Sequence, residues 1–181
     1  MYWFRSAAAR FLPALMILFF VLHSCKPDIK GNGAVNFFDL KKYYAAEAGR
    51  LSKQNPFIIK TVTHNGATET QKVHINNWEQ ELSLFSLSDI NKPAWKESYS
   101  VEITDDFLIY KAKFPELKTR EIIIKRLAGK VKWVLIFNRT KNLLYQTKEK
   151  LSYFPDSLYL IEKTQQVKLL GINRYAIKGI Y

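Results

Sequence analysis

The sequence predicts an α+β fold: a curved antiparallel β-meander sheet of about seven to nine strands with two N-terminal helices packed on it. Three observations carry that prediction. Apolar residues between Phe37 and Leu51 recur every three or four positions, the spacing of one helix face. From Tyr99 onward the period falls to two, the spacing of one strand face. The connections between these period-two runs are only a few residues long, which suits antiparallel neighbours, because parallel ones need long crossovers.

Taken in chain order, residues 1–10 carry Arg5 and Arg10 and no acid, and residues 11–22 form a twelve-residue run without a charge. A bilayer span needs about 20 apolar residues, so the run fits the hydrophobic region of a signal peptide instead. Leu22-His23-Ser24-Cys25 follows and resembles a bacterial lipobox, with an aliphatic residue three positions before the cysteine and a small one just before it. That resemblance implies cleavage after Ser24, diacylglycerol on the Cys25 thiol and a further acyl chain such as palmitate on its freed amine. Two or three chains anchor stably, since each buried methylene contributes about 0.8 kcal/mol. Lys26 stands where an aspartate would signal inner-membrane retention, so the resemblance further implies the bacterial outer membrane. Residues 1–24 are thus a cleaved signal, residues 25–35 a flexible tether with Pro27, Gly31 and Gly33, and residues 36–181 a single domain.

Within that domain Asn36 is the candidate N-cap, with Asp39 three positions on, and Phe37, Leu40, Tyr44, Ala48 and Leu51 form the buried face of a helix ending before Asn55-Pro56. Asn65-Gly66 between two β-branched runs, 57–63 and 68–75, predicts a hairpin with a type I′ turn. Asn76 and Glu79 form a capping pair for a second helix bearing Trp78, Leu82 and Phe85, closed by Pro93. Strands are then expected at 99–104, 107–114, 120–127, 130–138, 142–153, 158–170 and 174–180. In a two-residue Ala128-Gly129 hairpin, Trp133 falls opposite Ile124 and Leu135 opposite Ile122, which makes them one apolar face. Asn138-Arg139-Thr140 matches a glycosylation sequon and reads as a turn.

Charge divides unevenly. The whole chain has 28 Lys plus Arg against 16 Asp plus Glu, a net charge of +12. Residues 25–106 carry 10 basic and 11 acidic side chains, whereas residues 107–181 carry 16 basic and 5 acidic. A basic sheet favours anionic partners. Lys125, Arg126, Lys130, Lys132, Lys148 and Lys150 are the candidate binding residues. In an exported chain the available anions are lipid phosphates and acidic glycans rather than nucleic acid.

Catalytic and metal chemistry find no footing. One cysteine excludes a disulfide framework or a multi-cysteine metal site, and no P-loop, dinucleotide, nucleophile-elbow or zincin motif occurs. His64 and His74 fall at opposite ends of the proposed hairpin, too far apart to share a metal. Glu79 and Glu81 suit compensation of a helix dipole. The reading is therefore no enzyme, no cofactor, no metal and no catalytic residue. The lipobox and the Lys/Tyr-rich sheet resemble the small outer-membrane lipoproteins of Bacteroidota, a likeness that implies an anchor and a compartment without an active site. The expected function is non-catalytic docking on an envelope protein complex or an anionic lipid or glycan. The alternative is a periplasmic carrier of a lipid or other hydrophobic ligand.

Overall fold

The computed structural model describes residues 37–181. Leu22, His23, Ser24, Cys25, the tether and Asn36 lie outside the described residues. The first helix, α1 (Leu40–Gln54), is capped by Asp39, whose carboxylate accepts the Lys42 amide at 2.7 Å. It ends at Asn55, which takes the left-handed conformation (φ 43°) and donates its N–H to the Leu51 carbonyl. Leu40, Tyr44, Ala48 and Leu51 are buried, the spacing the sequence predicted.

Strands β1 (Phe57–His64) and β2 (Ala67–His74) form the expected hairpin, with positive φ at both Asn65 (49°) and Gly66 (93°). The second helix differs from expectation. It is two single turns, α2 (Trp78–Glu81) and α3 (Ser83–Ser86), and its cap is Asn77 rather than Asn76, accepting the Gln80 amide. The Ser86 and Ser88 hydroxyls bond back to the Ser83 and Leu84 carbonyls, the serine competition that disfavours a continuous helix. Trp78, Leu82 and Phe85 are still all buried. Pro93 opens a 3₁₀ turn (Pro93–Trp95) where it was expected to close a helix, because its missing N–H costs nothing in a first turn.

The remaining strands are β3 (Tyr99–Ile103), β4 (Phe107–Ala112), β5 (Thr119–Leu127), β6 (Lys130–Lys141), β7 (Tyr145–Phe154), β8 (Leu158–Val167) and β9 (Gly171–Ile180). Together they make one nine-stranded antiparallel sheet, ordered β2-β1-β9-β8-β7-β6-β5-β4-β3. The run from β3 to β9 is a simple meander. The N-terminal hairpin joins it beside the last strand, with Ile59 opposite Ile180 and His64 opposite Tyr175.

One register departs from the sequence reading. The Ala128-Gly129 turn has the predicted two residues, but a bulge at Lys132 shifts the ladder, so Trp133 lies opposite Lys125 and Leu135 opposite Ile123. Because side chains alternate, that single residue exchanges the faces. Ile122, Ile124, Val134 and Ile136 enter the core with almost no exposure, while Trp133, Leu135 and Phe137 stay half-buried on the other side.

The inner face is packed ring against ring. Tyr44 lies 5.0 Å from Phe85 and 5.2 Å from Tyr153, and Phe37 meets Tyr99 and Tyr110 edge-on. Two tyrosines opposite one another on β7 and β8 tie separate helices to the sheet. Tyr153 donates to Glu47 of α1 at 2.6 Å, and Tyr159 donates to Glu81 of α2 at 2.5 Å. Each carboxylate also holds a cation, Arg50 at 2.8 Å and Lys60 at 2.7 Å. Glu81 is therefore a link between helix and sheet rather than only compensation for a short helix. Tyr159 has room for its ring because its partner across the ladder is Gly179.

Candidate docking face

Alternation along the strands directs a second set of side chains away from the helices. On β4 to β6 these are Phe107, Ile109, Ile123, Trp133, Leu135 and Phe137, all half-buried. Phe107 and Trp133 meet edge-on at 5.9 Å, and the Lys125 ammonium lies 5.5 Å above the Phe107 ring. Lysine stems thus shield part of an apolar carpet while their charges stay in water.

Beyond the carpet the outer face is basic. Arg139 stands directly opposite Lys148, Lys148 opposite Thr164, and Thr164 opposite Arg174, so one transverse row across β6 to β9 holds three cations and no acid. Like charges directly opposed on a ladder destabilise it. The adjoining row is partly neutralised, with Lys150 3.6 Å from Glu162.

The structure divides the six predicted cations. Lys125, Lys148 and Lys150 share the outer face. Arg126 has the opposite parity and its Nε is buried without a hydrogen-bond partner. Lys130 flanks the β5–β6 turn and Lys132 is the bulge residue. Lys125 and Lys150 pair with β6 at Trp133 and Phe137, four residues and so about 13 Å apart along the strand. No single patch gathers all six. Arg139 and Arg174 join Lys148; Arg139 was missed because residues 138–140 read as a turn, whereas β6 runs through them to Lys141 and Asn138 is buried.

The β6–β7 and β8–β9 connections lie at one end of the sheet and touch, the Lys168 amide donating to the Leu144 carbonyl at 2.9 Å. Both present leucines to solvent: Leu143 (86 % exposed) and Leu144 (69 %) on one, Leu169 (105 %) and Leu170 (80 %) on the other. Asn142 holds the first pair outward, its side-chain oxygen accepting the Leu144 and Tyr145 amides at 2.9 and 2.8 Å. Leu169 adopts φ 72°, a left-handed conformation that costs a non-glycine residue about 1–2 kcal/mol. The legible signal was an apolar pair inside each turn, where polar residues are the rule.

Other titratable groups are engaged structurally. His64 stacks on Tyr175 at 4.5 Å and His74 lies against Phe57 at 3.7 Å, at opposite ends of the hairpin. Burial pushes the Tyr99 hydroxyl up to about 12. Burial also raises Tyr153 and Tyr159, helped by the hydrogen-bonded Glu47 and Glu81 carboxylates. The Arg50 guanidinium is raised chiefly by its hydrogen bond to Glu47. Among the described residues no three His, Asp or Glu side chains gather in a group able to hold a metal ion. Nor is any described helix long and apolar enough to cross a membrane.

No protein-family model, curated protein or solved structure matches this chain.

Proposed function

We propose that this chain is a lipid-anchored protein of the bacterial outer membrane, held by acyl chains on Cys25, whose non-catalytic domain docks through the outer face of its sheet on an acidic protein partner or another anionic envelope surface. The observation that carries the docking reading is the Arg139–Lys148–Thr164–Arg174 row. Opposed cations with no acid between them weaken the free sheet and are relieved by an anionic partner. Anchoring rests on the sole cysteine, placed directly behind a short uncharged run and a lipobox-like tetrapeptide.

A carrier of hydrophobic ligands has less support. The aromatic residues that would line a cavity are interlocked with one another instead. A groove of about 490 Å³ beside α2 is bordered by Asn76, Asn77, Gln80 and Glu81 as well as by Leu84 and Ile161.

Two experiments test the proposal. In cells fed labelled palmitate, Cys25→Ser abolishes incorporation and leaves the precursor at full length; continued labelling overturns the anchor. Pull-down of the acylated protein at rising ionic strength tests the face, because screening weakens exposed charge contacts. Capture indifferent to salt, or unchanged by Arg139→Glu with Lys148→Glu, overturns the docking reading.

A further inference from the structure

The outer face does not account for the leucines at the end of the sheet. Four nearly fully exposed leucines on two hydrogen-bonded turns are not residual core surface, because no described element packs over them. Contiguous exposed apolar surface of this kind marks a contact with something else.

The charges around the turns narrow what that is. Residues 139–148 contain Arg139, Lys141 and Lys148 and no acid, and residues 163–174 contain Lys163, Lys168 and Arg174 and no acid. A second copy of the chain would bring these cations against each other, which opposes self-association. Lys141 and Lys168 lie one or two residues behind the leucines, and Arg139, Lys148 and Arg174 each stand four residues from the nearest one. At about 3.3 Å per strand residue, the apolar tip projects beyond a collar of positive charge by roughly 3–13 Å. An interfacial segment buries its apolar part about 5–10 Å into the boundary between headgroups and acyl chains.

We infer that the paired β6–β7 and β8–β9 turns form a membrane-insertion tip, with Leu143, Leu144, Leu169 and Leu170 entering the acyl boundary of an anionic phospholipid bilayer and the collar lysines and arginines meeting its phosphates. This deepens the docking reading, on which it rests for the compartment, and names the bilayer surface as the partner of this end of the sheet. The place where the described residues begin agrees. Phe37, the first described residue, packs on Tyr99 at the start of β3, and antiparallel alternation puts that strand end at the same end of the sheet as the leucine turns. The strained Leu169 and the Asn142 hydrogen bonds have a role on this account: they hold the leucines out of the protein before lipid is met.

The test uses residues 25–181 carrying Cys25→Ser, so that neither the apolar run 11–22 nor acylation holds the protein on lipid and a single introduced cysteine takes an environment-sensitive fluorophore. The label is placed at Leu169→Cys in one chain. In another it is placed at Asp105→Cys, in the β3–β4 turn at the opposite end of the sheet. On vesicles containing phosphatidylglycerol, the label at 169 shifts to the blue and is quenched by nitroxides on the upper acyl chain, while the label at 105 stays in water. Leu143→Ser with Leu144→Ser then lowers the bound fraction about tenfold per leucine. Added salt, or neutral phosphatidylcholine alone, weakens the signal. The inference is overturned if the label at 169 remains in water on those vesicles, or if both labels are quenched alike. It is equally overturned if the label at 169 becomes buried without vesicles as protein concentration rises, which would assign the tip to a second copy. Palmitate incorporation that continues in cells carrying Cys25→Ser would refute the anchor without touching this result.

Discussion

Replacing Gly179 by alanine probes the joint between helices and sheet most directly. A Cβ built there falls 2.2 Å from Cε1, 2.4 Å from Cζ and 2.6 Å from Oη of Tyr159, where ordinary contact begins at 3.4 Å. The ring must retreat by about 1.2 Å to relieve the closest of these, the difference between 3.4 and 2.2 Å. Tyr159 is fully buried and its hydroxyl lies 2.5 Å from Glu81, so the retreat strains the core and stretches that bond toward breaking. Overpacking costs about 1–3 kcal/mol and a hydrogen bond to a charged group about 1.5–3, so Gly179→Ala destabilises by about 3–5 kcal/mol. Urea unfolding followed by tryptophan fluorescence reads this as a lower midpoint with an unchanged slope, Trp78 being an internal reporter 6.4 Å from Tyr159. The decisive control is the same substitution in a Tyr159→Ala background. With the ring gone, alanine in a strand is no worse than glycine, and the second change is close to neutral or mildly stabilising. A loss below about 1 kcal/mol in the native background, or an undiminished loss beside Tyr159→Ala, refutes the reasoning.

Deleting Lys132 removes the bulge while Trp133 keeps Lys125 and Val134 keeps Ile124 as ladder partners, so Val134 and Ile136 stay in the core; calorimetry should show a loss well below the about 3–6 kcal/mol that expelling two side chains worth about 1.5–3 kcal/mol each would cost. Asp39→Ala removes the cap of α1 and lowers stability by about 1 kcal/mol in the same assay. Tyr43, Tyr44, Tyr99, Tyr110, Tyr153, Tyr159 and Tyr181 are all raised, mainly by burial, so the native state keeps protons that the unfolded chain has released. Their contribution is complete below the unfolded tyrosine value near 10 and falls as pH rises from there, the Tyr99 share ending near 12. Tyrosinate absorbance at 295 nm should therefore show these seven ionising together with alkaline unfolding rather than ahead of it.

Much of the fold was legible in local patterns. Asn65-Gly66 fixed its hairpin because few other dipeptides accept positive φ twice, and the register that followed put His64 and His74 at opposite ends. The 3–4 spacing of Leu40, Tyr44, Ala48 and Leu51 marked the buried side of α1. The bulge was not legible. Trp133, Leu135 and Phe137 form as good an alternating row as Val134 and Ile136, and only a ladder partner shows which row turns inward. That ambiguity carried into the candidate site. Lys125, Lys148 and Lys150 were named from charge alone and share a face, but Arg126 points the other way and Arg139 was hidden in an expected turn. The leucine turns were missed because Leu143, Leu144, Leu169 and Leu170 fall inside the strands expected at 142–153 and 158–170, whereas Asn142 and a left-handed leucine supply turn geometry there. The Glu47–Tyr153 and Glu81–Tyr159 ties join distant parts of the chain, and no local pattern signals them.

The place of β9 between β8 and β1 has a consequence for how the chain is made. Ile59 cannot find Ile180 until the final residues have emerged, whether from a ribosome or from a translocation pore. The hairpin β1–β2 waits as an orphan until then, and its polar edge, with Thr68, Glu69, Thr70, Gln71 and Lys72, keeps it soluble meanwhile. A chain without residues 171–180 would lack the strand that joins β1 to β8. Because β9 bridges β8 and β1, the arrival of residues 171–180 acts as a timer for sheet completion, built into the topology.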